Sequence, residues 1–507
     1  MYTNDRYLYA DVCVIGGGSA GCAAAVYAQR SGLDTILIEQ QQALGGMFTC
    51  ANVSGLAGVR EGFAKEVEAM GEARGIVVPS SVCPVLDAEK TKYILEELVH
   101  GCGARMLYDT TVYDLIAEGG KIREILAFCK GTRVIVRAKY FIDASGDAIV
   151  AGMAGVPVLH GNGEFFGFSS ASSLHTRFIH VNWEKWTKAM EDWKNKQLAD
   201  GVPESKLQPL MGKIVKEGVA RGELPPMLGQ YLTNTGTRPI PGADADPVHD
   251  RSLLVILHSY FARNTDPEDI TRQIVEQHYQ TYLLEGFFRK YLPGWENCSI
   301  IALPSMNGLR DGVRIQGEYT FSKEDLTSQR RFDDSIARFD DMFDLHHPYT
   351  PGKIMRHAVI PEMPEGKPGF YREITCGPDM HPFGRPTGFE CRTDPKGWCE
   401  IPYRSIVPQG VDNLFVVGRC FSVDYETLGG ARLVATCMST GQAAGIAAKL
   451  CLEEGGIAAR ELDGKKVHDY LRDVCGVPLD TVYGRLEERQ NMTGEPYISP
   501  GDSIKYR

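Results

Sequence analysis

Hydrophobic and polar positions keep two rhythms at the start of the chain. Residues 11–15 (DVCVI) are a short apolar run ending in glycines, residues 19–31 carry small and apolar residues at helical spacing up to Gly32, and residues 35–39 are a second apolar run. That order predicts a strand, a glycine turn, a helix and a second strand, a βαβ unit. Farther on, AEKTKYILEELVHGCG sets Ile94, Leu95 and Leu98 on one helical face, and residues 104–147 read as strands with a hairpin at Glu118, Gly119, Gly120 and Lys121. From about residue 160 to residue 395 the pattern turns to aromatic, charged and longer helical segments. One of them places Trp183, Trp186, Met190 and Trp193 at helical spacing, a stripe that reads as core or interface before it reads as a binding box. Another is expected to start at the cap Asp266, with Pro267 in its first turn, and to stop at Pro293 and Gly294. Residues 412–456 then return to strand, loop and small-residue helix.

The pattern predicts a discontinuous first domain, residues 1–160 plus 396–455, interrupted by an inserted α+β substrate domain over residues 161–395 and followed by a C-terminal helix and polar tail over residues 456–507. No internal repeat is evident. The longest apolar stretches, such as DNLFVVGRCF and RSLLVILHSYF, fall well short of the roughly 20 residues a membrane-spanning helix needs. No membrane span is expected.

The first turn carries chemistry. Gly16, Gly18 and Gly21 satisfy G-x-G-x-x-G, and the acid Glu39 follows 18 positions after Gly21, close to the spacing of about 20 at which a dinucleotide-binding unit holds a ribose. Gly16 permits the tight turn, Gly18 lets backbone approach a pyrophosphate, and Gly21 with Ala23, Ala24 and Ala25 lets helix pack on strand, while the helix N-terminus attracts the anion. A glycine turn kept only for tight packing is the alternative.

Composition narrows the partner. The 507 residues contain 54 Lys and Arg against 65 Asp and Glu, a net charge of −11, the wrong sign for a nucleic-acid or anionic-membrane binder. A small-molecule substrate is the expectation, with no nucleic acid as partner; homo-oligomerisation stays open. The 14 cysteines include no C-x-x-C pair, which together with an N-terminus lacking a basic region and apolar run fits reduced thiols and a cytoplasmic location. His346, His347, Cys376, Cys391 and Cys399 lack chelate spacing, so no metal is expected.

Four features in order resemble FAD-dependent enzymes of the glutathione-reductase fold: the glycine fingerprint, the doublet Gly45 and Gly46 after Glu39, IDASGD at residues 142–147, and the strand end Val417, Gly418, Arg419. GLRDGVRIQGEYTFSKEDL, FDDSIARFDDMFDLHH, EIPYRSIVPQGVDNLFVVGRC and TCMSTGQAAGIAAKL are similar to successive signatures of the broad FAD-dependent oxidoreductase family of bacterial flavoproteins, and VHDYLRDVCGVPL to its closing segment. The resemblance implies FAD, covalently held or not, and an α/β fold: a glutathione-reductase-type Rossmann FAD-binding domain with the inserted α+β substrate domain. Gly16, Gly18, Ser19, Ala20 and Gly21 would hold the pyrophosphate, and Glu39 with Gln40 the ribose. Gly45, Gly46, Met47 and Thr49 would pass beside the pyrophosphate and ring, and Val112, in a strand over residues 110–113, would meet the adenine through its backbone. Ser145 and Gly146 occupy the turn where the fold usually has Ala-Thr-Gly. Gly418 would face the ribityl chain, and Gly441, Gln442 and Ala443 would start a helix whose positive end points at the flavin.

On the substrate side the resemblance points to Tyr425, where the family usually has His, with Glu426, Gly429 and Arg432 matching around it. A phenol with an ordinary pKa near about 10 needs a cation such as Arg432 to act as a base; packing against the ring is the equal alternative. Arg310 and Arg314 stand where the family shows Arg-Glu-Ser-Arg-Arg, with Asp311 and Gly312 in place of the middle pair and Val313 in place of an arginine. They suit a carboxylate or polar oxygen clamp, or ion pairs with Asp311 or Glu318. His346 matches a recurring Asp-x-His, as a substrate-side or a structural histidine; His347 and His381 are further candidate proton carriers. Cys50 stands alone after the glycine doublet, which argues against a redox disulfide, and no second glycine fingerprint follows for a nicotinamide. The expected function is therefore an FAD-dependent oxidoreductase that moves a hydride between flavin N5 and a small polar organic substrate. A sugar, glycoside or hydroxy acid oxidised at an alcohol comes first, with electrons leaving to an unidentified acceptor: oxygen, a quinone or a carrier. Reduction of an activated C=C bond in a carboxylate-bearing substrate is the alternative.

Overall fold

The computed structural model describes residues 5–78, 83–161, 166–203, 207–226, 228, 237–239, 251–328, 330–339, 345–346, 348, 354–362, 368–376 and 399–480. His347, His381 and Cys391 lie outside these, as do the side chains of His346 and Cys376.

The predicted βαβ unit forms from β1 (Asp5–Ile15), α1 (Ser19–Arg30) and β2 (Thr35–Ile38), with β1 and β2 parallel and Val12 opposite Thr35. β2 is buried along its length, as an apolar run must be in a sheet covered on both faces. β3 (Arg105–Leu107), β4 (Thr111–Glu118), β5 (Lys121–Cys129) and β6 (Thr132–Asp143) complete the layer in the order β3-β2-β1-β6-β5-β4, and the late strand Leu414–Val416 joins beside β6. β1, β2, β3, β6 and the late strand run parallel, whereas β4 and β5 form the antiparallel hairpin whose turn pairs Glu118 with Lys121. The sheet is mixed. The register puts Ile15 of β1 and Val416 of the late strand on either side of Asp143, so three strand ends separated by more than 100 positions meet at one edge.

A second, antiparallel sheet orders Thr237–Pro239, then β8 (Arg251–Ser259), β7 (Ser172–Ile179) and β9 (Ser299–Ala302). Two helices of the same region carry side-chain caps: α2 (Trp183–Ala199) starts at Asn182, and α3 (Pro267–Tyr291) at the expected Asp266, whose side chain accepts the Asp269 N–H. Trp186 and Met190 of the aromatic stripe are buried in a cluster with Phe178, Phe288 and Trp295. The rings of Phe288 and Trp295 stand 5.0 Å apart.

After the late strand come α4 (Tyr425–Ala431), α5 (Val434–Glu453) and α6 (Gly464–Asp473). α5 packs on α1 with almost no side chain between them: a Cβ on Gly441 would stand 2.0 Å from the Ala20 carbonyl oxygen, and one on Gly445 2.6 Å from that of Ala24. Among the described residues no helix is long and apolar enough to cross a membrane.

Candidate functional site

The three glycines of the first turn differ in what requires them. Gly16 sits at φ +96°, and a Cβ there would meet the Ala144 carbonyl oxygen at 2.6 Å; a Cβ on Gly21 would stand 1.8 Å from the Gly16 carbonyl oxygen. Packing forbids any other residue at both. Gly18 has φ −69° and ψ −174°, open to any residue, and nothing lies within 4 Å of a Cβ placed on it. The chain itself leaves that face clear, at the start of α1, whose first N–H groups have no intrahelical acceptors. A cleared backbone face beside a helix N-terminus fits the pyrophosphate of a dinucleotide.

The neighbouring groups fit as well. Glu39 is buried; its carboxylate accepts the Gly17 N–H at 2.6 Å and the Gln41 N–H at 2.7 Å, and burial raises its pKa. Gln40 is exposed beside it. Gly45 donates its N–H to the Gly17 carbonyl at 2.8 Å, which lays Gly45 and Gly46 against Gly18, with Met47 and the buried Thr49 following. Val112 belongs to β4, which begins at Thr111 and runs to Glu118 rather than over 110–113, and it packs with Ile36 and Ile38. The Ser145 hydroxyl donates to Asp143 at 2.6 Å, and Asp143 in turn accepts the N–H groups of Val150 and Ala151. That serine shapes the turn from below. Gly146, at φ +80°, offers its carbonyl to Arg419, and Gly418 donates its N–H to Thr440.

Gly441, Gln442 and Ala443 do not start a helix. α5 begins at Val434, seven residues earlier, and Gly441 is the close contact with α1. Gln442 accepts the Phe63 N–H at 3.0 Å, while its Nε2, fully buried, has no partner. The helix N-terminus expected at Gly441 is instead formed by residues 433–436, where the Ala435 N–H bonds to the Ala57 carbonyl.

A polar cluster forms where the second sheet meets α4. Tyr425 is the first residue of α4, held by the cap Asp424, and its hydroxyl lies 3.1 Å from Ser170 Oγ. Burial raises the pKa of this phenol well above the usual tyrosine range; ionised Asp311 pushes the same way, outweighing the Ser170 bond and the cations Arg314 and Arg432. A phenol so shifted is protonated over the ordinary pH range and, as placed, offers a proton. Arg314, on the strand Val313–Ile315, is 3% exposed. Its Nη2 donates to the Gly161 carbonyl at 3.0 Å, its guanidinium carbon stands 5.6 Å from the Tyr425 ring centre, and its Nε and Nη1 have no hydrogen-bond partner. Arg310 points elsewhere, donating to the Ala171 carbonyl at 2.6 Å with Nη2 3.1 Å from His258 Nε2. The two arginines expected to share a clamp thus have different neighbours. Arg432 closes α4 as its C-cap, and its charge acts on Tyr425 and Asp311. His346 cannot be placed relative to them, because its side chain lies outside the described residues.

Sequence reasoning missed two members and gave a third another role. Asp311, 2% exposed, accepts the Ser170 N–H at 3.0 Å and Asn264 Nδ2 at 3.1 Å. Ser170 and Asn264 carry no local signal; Asp311 was visible only as a departure from the family's arginine-rich segment and as an ion-pair partner for the arginines.

The model of the family described as "FAD dependent oxidoreductase" matches residues 11–471. Among curated proteins, digeranylgeranylglycerophospholipid reductase of Thermoplasma acidophilum is 30% identical over 154 residues, 27% of this chain and 39% of that protein. A 6-methylpretetramide 4-monooxygenase of Streptomyces rimosus is 28% identical over 176 residues, 29% of this chain and 41% of that one. The chain thus spans about two fifths of the length of the curated relatives it matches. Among solved structures, a geranylgeranyl bacteriochlorophyll reductase-like protein from Thermoplasma acidophilum matches with a TM-score of 0.43 and 14% identity, over 92% of this chain and 84% of that one. The fold is an α/β, Rossmann-like FAD-binding flavoprotein fold with a mixed sheet; the narrower glutathione-reductase type expected from the sequence is not singled out by the family match.

Proposed function

The chain belongs to the FAD dependent oxidoreductase family, and from that premise we propose that it reduces an activated C=C bond in a small, carboxylate-bearing substrate held beside Tyr425, Arg314 and Ser170. In this reading residues 1–160 and 396–455 carry FAD, residues 161–395 carry the substrate, and residues 456–507 close the chain. The glycine turn with Ser19 and Ala20 would take the pyrophosphate, Glu39 and Gln40 the ribose, and Gly45, Gly46, Met47, Gly418 and the start of α5 the groups beyond it. Bound FAD supplies the hydride chemistry.

The observation that carries the direction is the burial of Tyr425 beside Ser170 and Asp311, which raises the pKa of its phenol. Alcohol oxidation needs a base at the hydroxyl, and a buried phenol beside a buried carboxylate does not serve as one. Reduction needs a proton donor at the carbon next to the activating group, which the same phenol provides. Arg314 complements it: a desolvated guanidinium with an N–H on Nε and two on Nη1 unpaired is matched by a carboxylate or carbonyl oxygen. As that oxygen gains negative charge during reduction, the fixed cation stabilises it without reorganising. Ser170 orients the phenol, and Asp311 fixes Ser170 through its N–H.

The test is anaerobic. Prereduced protein is mixed with a panel of α,β-unsaturated acids, and oxidised protein with sugars, glycosides and hydroxy acids, while flavin absorbance is followed. Recovery of oxidised absorbance with an enoate supports the reading. Bleaching by an alcohol, with no response to any enoate, replaces it with alcohol oxidation.

A further inference from the structure

Arg314 and Tyr425 come from distant parts of the chain, and the residues beside them are bonded to each other at two points. Three positions after Arg314, Gly317 donates its N–H at 3.0 Å to the hydroxyl of Ser422, which stands three positions before Tyr425 and is 0% exposed. The segments touch without a side chain between them on the glycine side: a Cβ on Gly317 would meet Ser422 Cβ at 2.8 Å. From there they run in parallel, with the Phe321 N–H donating to the Ser422 carbonyl and the Asp424 N–H to the Phe321 carbonyl, both at 3.0 Å. The second point is Asp424. One of its carboxylate oxygens accepts the Thr427 N–H at 2.7 Å and so caps α4, while the other accepts the Lys323 N–H at 2.6 Å, where the helix Lys323–Thr327 starts. An ion pair of Lys323 with Glu426 lies nearby at 2.6 Å, with both side chains partly exposed; pairs in such a setting contribute little.

Capping a helix takes one bond from such a side chain, and the second bond of Asp424 goes to the segment that continues from Arg314. The two ties keep the strand Val313–Ile315 from sliding against α4, with the Arg314 guanidinium carbon 5.6 Å from the centre of the Tyr425 ring. The Asp424 charge also acts on Arg314. We propose that Ser422 and Asp424 are positioning residues that hold Arg314 over Tyr425, so that the cation is in place for the charge the phenol acquires when it donates. The inference rests on the reductase reading. There a hydride from reduced flavin goes to one carbon of the double bond and the phenolic proton to the other; the electron pair of the O–H bond stays on the Tyr425 oxygen, beside the fixed cation, until water returns a proton. A cation held there beforehand stabilises that charge without moving.

Asp424→Asn cuts one tie with little change of shape, because an amide offers one acceptor oxygen where the carboxylate offers two. In single-turnover reoxidation of the prereduced protein by an enoate, Asp424→Asn is expected to cost about tenfold in the wild-type background and less than about twofold in the Tyr425→Phe background, with flavin content unchanged. The same loss in both backgrounds, or no loss in the first, overturns the proposal. Should Asp424→Asn not fold, Ser422→Ala takes its place with the same expectations. A second readout needs no turnover. In protein labelled with 3-fluorotyrosine, the fluorine resonance of Tyr425, identified by its loss in Tyr425→Phe, is expected to move in Asp424→Asn and in Ser422→Ala toward its position in Arg314→Met. A resonance that does not move toward that position in either variant overturns the proposal whatever the reaction is. Absence of enoate reduction in the wild type, by contrast, sinks the reductase reading and leaves the resonance to decide the positioning.

Discussion

Single residues at the glycine turn separate fold from function. A Cβ at position 18 meets no atom within 4 Å and the backbone there is open to any residue, so Gly18→Val is expected to keep the stability of the apoprotein to within about 1 kcal/mol, the scale of a helix-cap change, while losing FAD. A valine variant that purifies with full flavin would refute the assignment of the turn to the cofactor. Gly16 and Gly18 both belong to the sequence fingerprint, and the distance from a Cβ on Gly16 to Ala144 shows that packing requires a glycine at the first and not at the second. Tyr425 was legible as a position and not as a state: its phenol is governed by Ser170 and Asp311, which lie 255 and 114 positions away. With its pKa raised by burial, Tyr425 stays protonated where unfolded tyrosines ionise, near about pH 10. The sign follows: above that pH the unfolded chain loses a proton that the folded chain keeps, so this residue lowers stability as pH rises, whereas its capacity to donate persists until the higher folded value is reached. Wild-type protein should therefore show no loss of enoate reduction assignable to Tyr425 below about pH 10, measured as reoxidation rate against pH.

At the scale of elements, the βαβ unit, the hairpin at residues 118–121 and the capped helices α2 and α3 could be read from periodicity, because each has one apolar face and a recognisable stop. α5 could not. From Val434 to Ala448 it is buried all round, so the period that marks a helix boundary is missing, and the glycine at 441 looks like a start when it is the point of contact with α1. Gly441→Ala must move the Ala20 backbone, which the new Cβ would meet at 2.0 Å. The expected loss is on the order of 3 kcal/mol or more, read as a lower urea midpoint. A midpoint equal to the wild type would show that α1 and α5 pack less tightly than described.

For the whole molecule, ties between distant segments hold the site. Arg338, 1% exposed, donates to Glu61 across 277 positions, binding the strand Ser335–Phe339 to the loop that meets the start of α5. Removing one partner of such a pair costs about 3–5 kcal/mol because the other charge is left buried. Arg338→Met should accordingly destabilise strongly, and adding Glu61→Gln should restore part of the loss in thermal or urea unfolding; no restoration would mean that the pair is not the tie. Such long-range pairs are absent from any local pattern, as is the meeting of Tyr425, Ser170 and Arg314 from three separate parts of the chain. That meeting is the centre of the account, and one measurement addresses it most directly: anaerobic single-turnover reoxidation of prereduced wild-type and Tyr425→Phe protein by the best enoate. The account predicts a loss of about 10²–10⁴ in the variant's rate, with flavin content unchanged. Equal rates in the two proteins would contradict it and leave Tyr425 a packing residue.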